Sequence, residues 1–310
     1  MTAFLIIMPM LKTAAWEKRI RAAEPGIDLR VWPDTGAPED ILFAFAWRHP
    51  HGAFRQFPNL RCIASLGAGV DNILSDPDLH EKVAITRIVD PSLTQSMSEY
   101  VVMSVLNYCR GTRFYRDREA EQKWRPVIPK LADEETVGIL GLGQLGLDAA
   151  RKLQALGFDV AGWRRTDREA KGVPTYSGPG RLAAFLARSR ILVNMLPLTP
   201  ATENILNRDM FAMLPRGAYL INVARGRHLV EADLLAAIDA GRLSGACLDV
   251  FRTEPLPAAH PFWKHAEITV TPHIASLTNP TAVIPQIVEN YRRVRAGLAV
   301  LNRVDRQRGY

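Results

Sequence analysis

Apolar residues in the first part of the chain fall in short runs, at residues 3–8, 41–47, 61–66 and 83–89, separated by polar or helix-patterned segments bounded by Pro and Gly. Short buried strands alternating with helices are the rhythm of an α/β unit. From Ser98 to Glu121 the spacing becomes helical, with Val101, Val102, Val105 and Leu106 on one face, and one long helix is expected. The arm that follows, "KWRPVIPK", is broken by Pro126 and Pro129.

A second α/β series then begins. "TVGIL" reads as a strand, Gln144 to Leu156 as a helix closed by Gly157, and "DVAGW" as the next strand. "LAAFLARS" is helical, and "ILVNM", "AYLINV", "GACLDV" and "ITVTP" are further strands. "EADLLAAIDAG" carries acids in its first turn and Gly241 at its end, which suits a helix dipole and a left-handed stop. The segment from Ala282 to Leu298 places Ile284, Ile287, Val288, Tyr291 and Val294 at helical spacing. A helix there can return to the first series, so the second unit is expected to be inserted into the first.

Composition narrows the class. A chain of 310 residues, 47% hydrophobic and 23% charged, is globular and long enough for about two domains. "AFLIIMPM" is brief, lacks a preceding basic stretch and suits a buried strand better than an export signal. Nothing approaches the roughly 18 apolar residues that span a bilayer, so no membrane role is expected. Cys62, Cys109 and Cys247 are far apart and lack zinc-type spacing, which points to reduced thiols in a cytoplasm and no metal. The net charge of +7 favours anions, but the arginines are scattered and no nucleic-acid motif accompanies them. Small anionic ligands are expected rather than nucleic acid.

"GLGQLG", Gly141 to Gly146, matches GxGxxG and stands between a strand and a helix, with a second strand beyond it. That context marks a dinucleotide site. Gly141 permits the turn, Gly143 lets backbone approach a pyrophosphate, and Gly146 allows helix to pack on strand. An NAD site ends its second strand with an acid that accepts from the ribose 2′-hydroxyl. Here that place falls near Trp163, Arg164 and Arg165. Guanidinium groups can clamp a 2′-phosphate, which favours NADP. The competing reading is a solvated charged turn, with Asp167 supplying the ribose contact.

Arg225 in "NVARGR", Glu254 in "CLDVFRTEPLP" and His273 in "ITVTPH" each stand at the C-terminal end of a predicted strand, the edge where open α/β sheets bind ligands. Singly they read as a surface arginine, an acid before a turn and a helix-capping histidine. Together with a nicotinamide they form a site that reduces a 2-keto acid. Hydride transfer builds negative charge on oxygen, for which His273 can supply the proton and Arg225 a fixed cation. A neighbouring carboxylate favours imidazolium, and Glu254 is the candidate. Asp249 can accept from the nicotinamide amide.

The motifs "GLGQLG", "LPLTPAT", "NVARG", "GACLDVFRTEPLP" and "TPH", in this order over roughly residues 60 to 280, resemble the D-isomer-specific 2-hydroxyacid dehydrogenase family. "SLGAGVDNIL", "KWRP", "GWRRT" and "VDRQRGY" extend the likeness over nearly the whole chain, to a subgroup that reduces short keto acids. The resemblance implies α/β architecture with two Rossmann-like doubly wound domains and parallel sheets. The nucleotide-binding domain, residues 99–279, would be inserted into a substrate domain of residues 1–98 and 280–310. It implies catalytic roles for Arg225, Glu254 and His273, and a substrate carboxylate held by Gly67, Ala68 and Gly69. Cofactor contacts are implied at Gln144, Leu145 and Thr166, and at Leu196, Pro197, Val223 and Ala224, beside those above. Trp47 resembles a tryptophan beside the substrate, with core packing the alternative; His49 and His51 read as loop histidines. Trp124 on the proline-broken arm would pack in a homodimer contact. The expected activity is reduction of short 2-keto acids such as glyoxylate and hydroxypyruvate, to glycolate and D-glycerate, with NADPH preferred over NADH. A dehydrogenase for a longer keto acid, and a dinucleotide-sensing protein like the corepressors of this family, are the alternatives.

Overall fold

A computed structural model describes residues 2–167 and 170–309; Met1, Arg168, Glu169 and Tyr310, the last closing the "VDRQRGY" stretch, lie outside the described residues. The chain divides into Met1–Leu93 with Thr278–Tyr310 as one unit and Thr94–Leu277 as the other.

In the first unit, β1 (Ala3–Ile7), β2 (Leu29–Val31), β3 (Ile41–Ala46), β4 (Cys62–Ser65) and β5 (Ala84–Thr86) form one parallel sheet in the order β2-β1-β3-β4-β5. That is a doubly wound order with its switch between β1 and β3. Every residue of β1 and β3 is buried, as a sheet covered on both faces requires. Helices α1 (Ala14–Ala23) and α2 (Asp71–Leu74) follow β1 and β4. The last helix, α9 (Pro280–Arg295), buries Ile284, Ile287, Val288, Tyr291 and Val294. Tyr291 stands edge-on to Phe4 and Phe43, at 5.4 and 5.9 Å between centroids, and its hydroxyl donates to Thr2 O at 2.5 Å. Aromatic burial thus joins the C-terminal segment to the first strands.

The second unit runs through α3 (Pro91–Cys109), which begins just before the boundary, then α4 (Thr112–Ala120), β6 (Thr136–Leu140), α5 (Gln144–Ala155), β7 (Asp159–Arg164) and β8 (Thr175–Ser177). It continues through α6 (Leu182–Arg188), β9 (Ile191–Asn194), α7 (Arg208–Met213), β10 (Ala218–Asn222), α8 (Glu231–Asp239), β11 (Leu243–Leu248) and β12 (Ile268–Val270). The single helix expected over Ser98–Glu121 is two helices, because Gly111 takes a left-handed φ of 63° and ends the first. Periodicity missed the break because both halves keep helical spacing.

The seven strands are parallel, in the order β12-β11-β10-β9-β6-β7-β8. Alternate residues feed two cores. Leu140, Leu192, Leu220 and Leu248 pack with Phe185, Phe211 and Leu234 from α6, α7 and α8. Ile139, Val193, Ile221 and Cys247 face Val101 and Val105 of α3 and Ala149 and Leu153 of α5. Helices therefore cover both faces, and the order in which strands are added reverses between β6 and β9. Among the described residues, no helix is long and apolar enough to cross a membrane.

In the first unit His49 lies in a loop but is only 3% exposed. Its Nε2 meets Asp76 Oδ2 at 3.1 Å, and Asp76 also accepts from Gly52 N and Asp78 N. Burial holds the His49 imidazole below its ordinary value, against the pull of Asp76. Burial works to raise the Asp76 carboxyl, but the amides of Gly52 and Asp78 and the His49 ring hold it below the usual range. A depressed histidine lets the unfolded chain take up a proton first, so stability falls as pH drops through about 6.5. The depressed Asp76 adds a further loss below about pH 3.8. Urea unfolding at about pH 7 and about pH 5 should show wild type weakened at the lower pH and His49→Gln weakened less steeply. Equal slopes for the two proteins would remove the pair as the cause.

Candidate active site

The glycine turn sits at the switch point, between β6 and α5. Gly141 has φ 104°, and its N–H donates to Trp163 O of β7 at 2.9 Å. A Cβ on Gly146 would stand 2.1 Å from Gly141 O, so close approach of helix and turn demands glycine there. Gly143 differs: its φ is −78°, and a Cβ there would meet nothing within 4 Å. The protein's own packing does not require that glycine. The open space lies at the N-terminus of α5, where the N-cap Gly143 supplies no side-chain cap and the first-turn N–H groups of Gln144 and Leu145 suit an anion. A pyrophosphate fits this cradle.

At the end of β7, Arg164 is half-buried, while Arg165 and Thr166 are exposed. Arg165 lines an open groove of about 390 Å³ with Asp167, Thr175, Ser177, Gly178 and Arg181. Ser177 and Arg181 come from β8 and the turn after it, and the strand, "TYS", has no apolar run by which the sequence could reveal it.

Across the switch point, β9 and β10 end in paired asparagines. Asn194 and Asn222 are cross-strand partners, both fully buried, and Asn194 Nδ2 donates to Asn222 Oδ1 at 3.0 Å. Their remaining groups hold the loops beyond: Leu196 N donates to Asn194 Oδ1, Ala224 N to Asn222 Oδ1, and Asn222 Nδ2 to Arg225 O. The buried His228 adds a bond from Nε2 to Pro197 O at 3.3 Å. Thus Leu196, Pro197, Val223 and Ala224 stand on backbone fixed by residues that the motif reading passed over. The signal was in the sequence, since "ILVNM" and "YLINVA" both close an apolar strand with Asn.

His273 and Glu254 meet directly. His273 Nδ1 is 2.8 Å from Glu254 Oε2, and Glu254 Oε1 accepts from Phe251 N at 2.9 Å. With Nδ1 engaged by a carboxylate, Nε2 is the ring atom suited to proton exchange. His273 takes a left-handed φ of 56°, unusual for a non-glycine residue. Asp249 holds it there: its carbonyl accepts from His273 N, Oδ1 accepts from Thr271 Oγ1 and Ile274 N, and Oδ2 accepts from Ala275 N. Tyr100 bonds in turn to Thr271 Oγ1. Burial pushes the Asp249 carboxyl above its ordinary value despite these donors.

Arg225 is half-buried, with Nη1 donating to Ala224 O at 2.7 Å. The next residue is Gly226, where a Cβ would stand 1.8 Å from the backbone of Phe251. That contact sets the arginine's loop against the segment leading to Glu254.

In the first unit, Trp47 and the Gly67–Gly69 turn follow β3 and β4, which are adjacent in the sheet. The Trp47 ring comes within 3.2 Å of the place where a Cβ on Gly67 would stand. Ser65 Oγ fastens the turn, accepting from Gly67 N at 3.2 Å and donating to Gly69 O at 2.8 Å.

A dinucleotide cradle whose sheet edge also carries an imidazole aimed by a carboxylate defines a class, the nicotinamide-dependent oxidoreductases. The chain belongs to the D-isomer specific 2-hydroxyacid dehydrogenase family, whose NAD binding domain matches residues 102–275. It is 42% identical over 308 residues to a glyoxylate/hydroxypyruvate reductase A from Serratia proteamaculans, covering 97% of this chain and 98% of that one. A D-isomer specific 2-hydroxyacid dehydrogenase from Xanthobacter autotrophicus Py2, solved with NADPH and MES, is 44% identical with a TM-score of 0.93, covering 99% of each chain. An NADPH-dependent glyoxylate/hydroxypyruvate reductase from Sinorhizobium meliloti, solved with NADP and sulfate, is 38% identical with a TM-score of 0.92 over 100% of each.

The two glycines should separate in experiment. Gly146→Ala should lower stability by roughly 1–3 kcal/mol, because the added carbon meets backbone that cannot yield. Gly143→Ala should stay within about 1 kcal/mol of wild type yet bind dinucleotide at least about tenfold more weakly. Thermal melts and titration calorimetry on both variants decide this, and intact binding by Gly143→Ala would contradict it.

Proposed function

We propose that the protein reduces short 2-keto acids, glyoxylate and hydroxypyruvate, to glycolate and D-glycerate, and prefers NADPH to NADH. The single observation that carries the chemistry is the His273–Glu254 pair at 2.8 Å. The relatives named above support the substrate and the cofactor.

NADPH, when bound, supplies the hydride. Gly141, Gly143 and Gly146, with the amides of Gln144 and Leu145, would hold its pyrophosphate at the end of α5. Arg164, Arg165 and Thr166 would take the adenosine end, and Leu196, Pro197, Val223 and Ala224 the stretch between. Asp249 spends three of its roughly four acceptor positions on Thr271, Ile274 and Ala275, leaving one on Oδ2 for the nicotinamide amide.

Arg225 binds the substrate carboxylate and the carbonyl oxygen, stabilising negative charge as it grows. Ala68 and Gly69, whose neighbour Gly67 already donates to Ser65, carry backbone N–H groups suited to a carboxylate. Trp47 limits the space beside them, which suits a short side chain. His273 gives the proton from Nε2 to the oxygen, and Glu254 stabilises the imidazolium before transfer and keeps the ring in line. The side chain of His273 is 31% exposed, so solvent can return the proton afterwards.

We also propose a cytoplasmic homodimer. On the arm after α4, Trp124 is 98% and Ile128 93% exposed, apolar surface that a second copy would cover. The three cysteines are free thiols, as a reducing compartment would keep them.

Mixing the purified protein with NADPH and glyoxylate should give rapid catalytic loss of cofactor absorbance. Stoichiometric binding without turnover would instead indicate a dinucleotide sensor. His273→Ala should lower kcat by about 10²- to 10⁴-fold while NADPH affinity stays within about twofold, and a large affinity loss would remove its proton-donor role. In sedimentation velocity, wild type should run as a dimer and Ile128→Glu should shift towards monomer; a monomeric wild type would refute the dimer.

A further inference from the structure

The groove at the end of β7 has a far wall that the two arginines of "GWRRT" do not explain. That wall is "SGPGR", Ser177 to Arg181, in which two glycines and a proline separate a hydroxyl from a guanidinium. It is tied to β7 at two points: Gly178 N donates to Arg164 O at 3.0 Å, and Trp163 Nε1 donates to Gly178 O at 2.9 Å. A Cβ on Gly180 would meet nothing within 4 Å, so the turn is open on that side. Arg181 lies over the Tyr176 ring at 5.2 Å, and Tyr176 packs in turn against the core that holds Phe185. Stacking restricts a side chain that is otherwise exposed, and a planar guanidinium held this way loses less freedom on binding an anion. Arg165 faces the same groove from the β7 side.

Granting NADPH as the reductant, we propose that Arg181 completes the 2′-phosphate site with Arg165 and sets the preference for NADPH over NADH. Among the described residues, the groove is bounded by two guanidiniums, by the hydroxyls of Thr175 and Ser177, and by one acid, Asp167. A phosphate monoester of charge near −2 brings both guanidiniums into charge-assisted contact, while Asp167 opposes it. A ribose hydroxyl at the same place engages neither cation strongly. Discrimination therefore comes from both walls, and the β7 arginines supply only one of them.

The test uses the full-length protein and two probes, adenosine 2′,5′-bisphosphate and adenosine 5′-monophosphate, followed by titration calorimetry. Wild type should bind the bisphosphate more tightly. Arg181→Gln should weaken the bisphosphate about tenfold and leave the monophosphate unchanged, with Arg181→Lys in between because it keeps charge without the planar fork. Asp167→Asn should tighten the bisphosphate. In turnover assays Arg181→Gln should raise the KM for NADPH and not for NADH, with kcat retained. Unchanged bisphosphate binding by Arg181→Gln, or equal weakening of both probes, overturns the role of Arg181 while leaving NADPH as the reductant. Equal affinity of wild type for the two probes overturns the NADPH preference itself.

Discussion

The parallel pairing of β6 with β7 on one side and β9 on the other is the constraint on which the larger unit depends. A parallel sheet covered by helices on both faces has no polar face, so its strands must be apolar along their length. Polar chemistry is driven to the strand ends, and parallel direction puts every carboxyl end on one edge. Gly141 after β6, Arg165 after β7, Asn194 at the end of β9, Asn222 and Arg225 at the end of β10, Asp249 after β11 and His273 after β12 all follow from that rule.

At that edge, buried hydrogen bonds set the geometry. Asn194 and Asn222 are fully buried, and their amides bond to each other and to the loops that carry Leu196, Ala224 and Arg225. Asp249 does the same for the loop of His273. An unpaired polar group would be costly in such surroundings, so these networks admit one arrangement. Sites of this kind act through preorganisation, because donors and charges are in place before charge develops on the substrate.

Much of this was legible in sequence. Glycine spacing located the cradle, and strand-end positions singled out Glu254 and His273, which the fold brings to 2.8 Å across 19 residues of chain. Other parts were hidden for identifiable reasons. The strands β2 and β8, "LRV" and "TYS", carry no continuous apolar run to mark them, and with β8 went the wall that bears Arg181. Gly111 splits a helix whose two halves share one periodicity. His49 and Asp76 meet across 27 residues, and nothing local marks either as buried.

The sequence by itself determined the α/β class, the dinucleotide turn and the set of residues able to handle a proton and an anion. These depend on local properties: apolar period, glycine at a required backbone shape, and the chemistry of single side chains. Tertiary structure alone decided which of them touch. It made Gly143 the glycine that packing does not need, gave Asp249 the task of holding a left-handed His273, and set Arg181 opposite Arg165. The physical reason is that contact across strands and loops is fixed by sheet order and close packing, which a linear pattern does not encode.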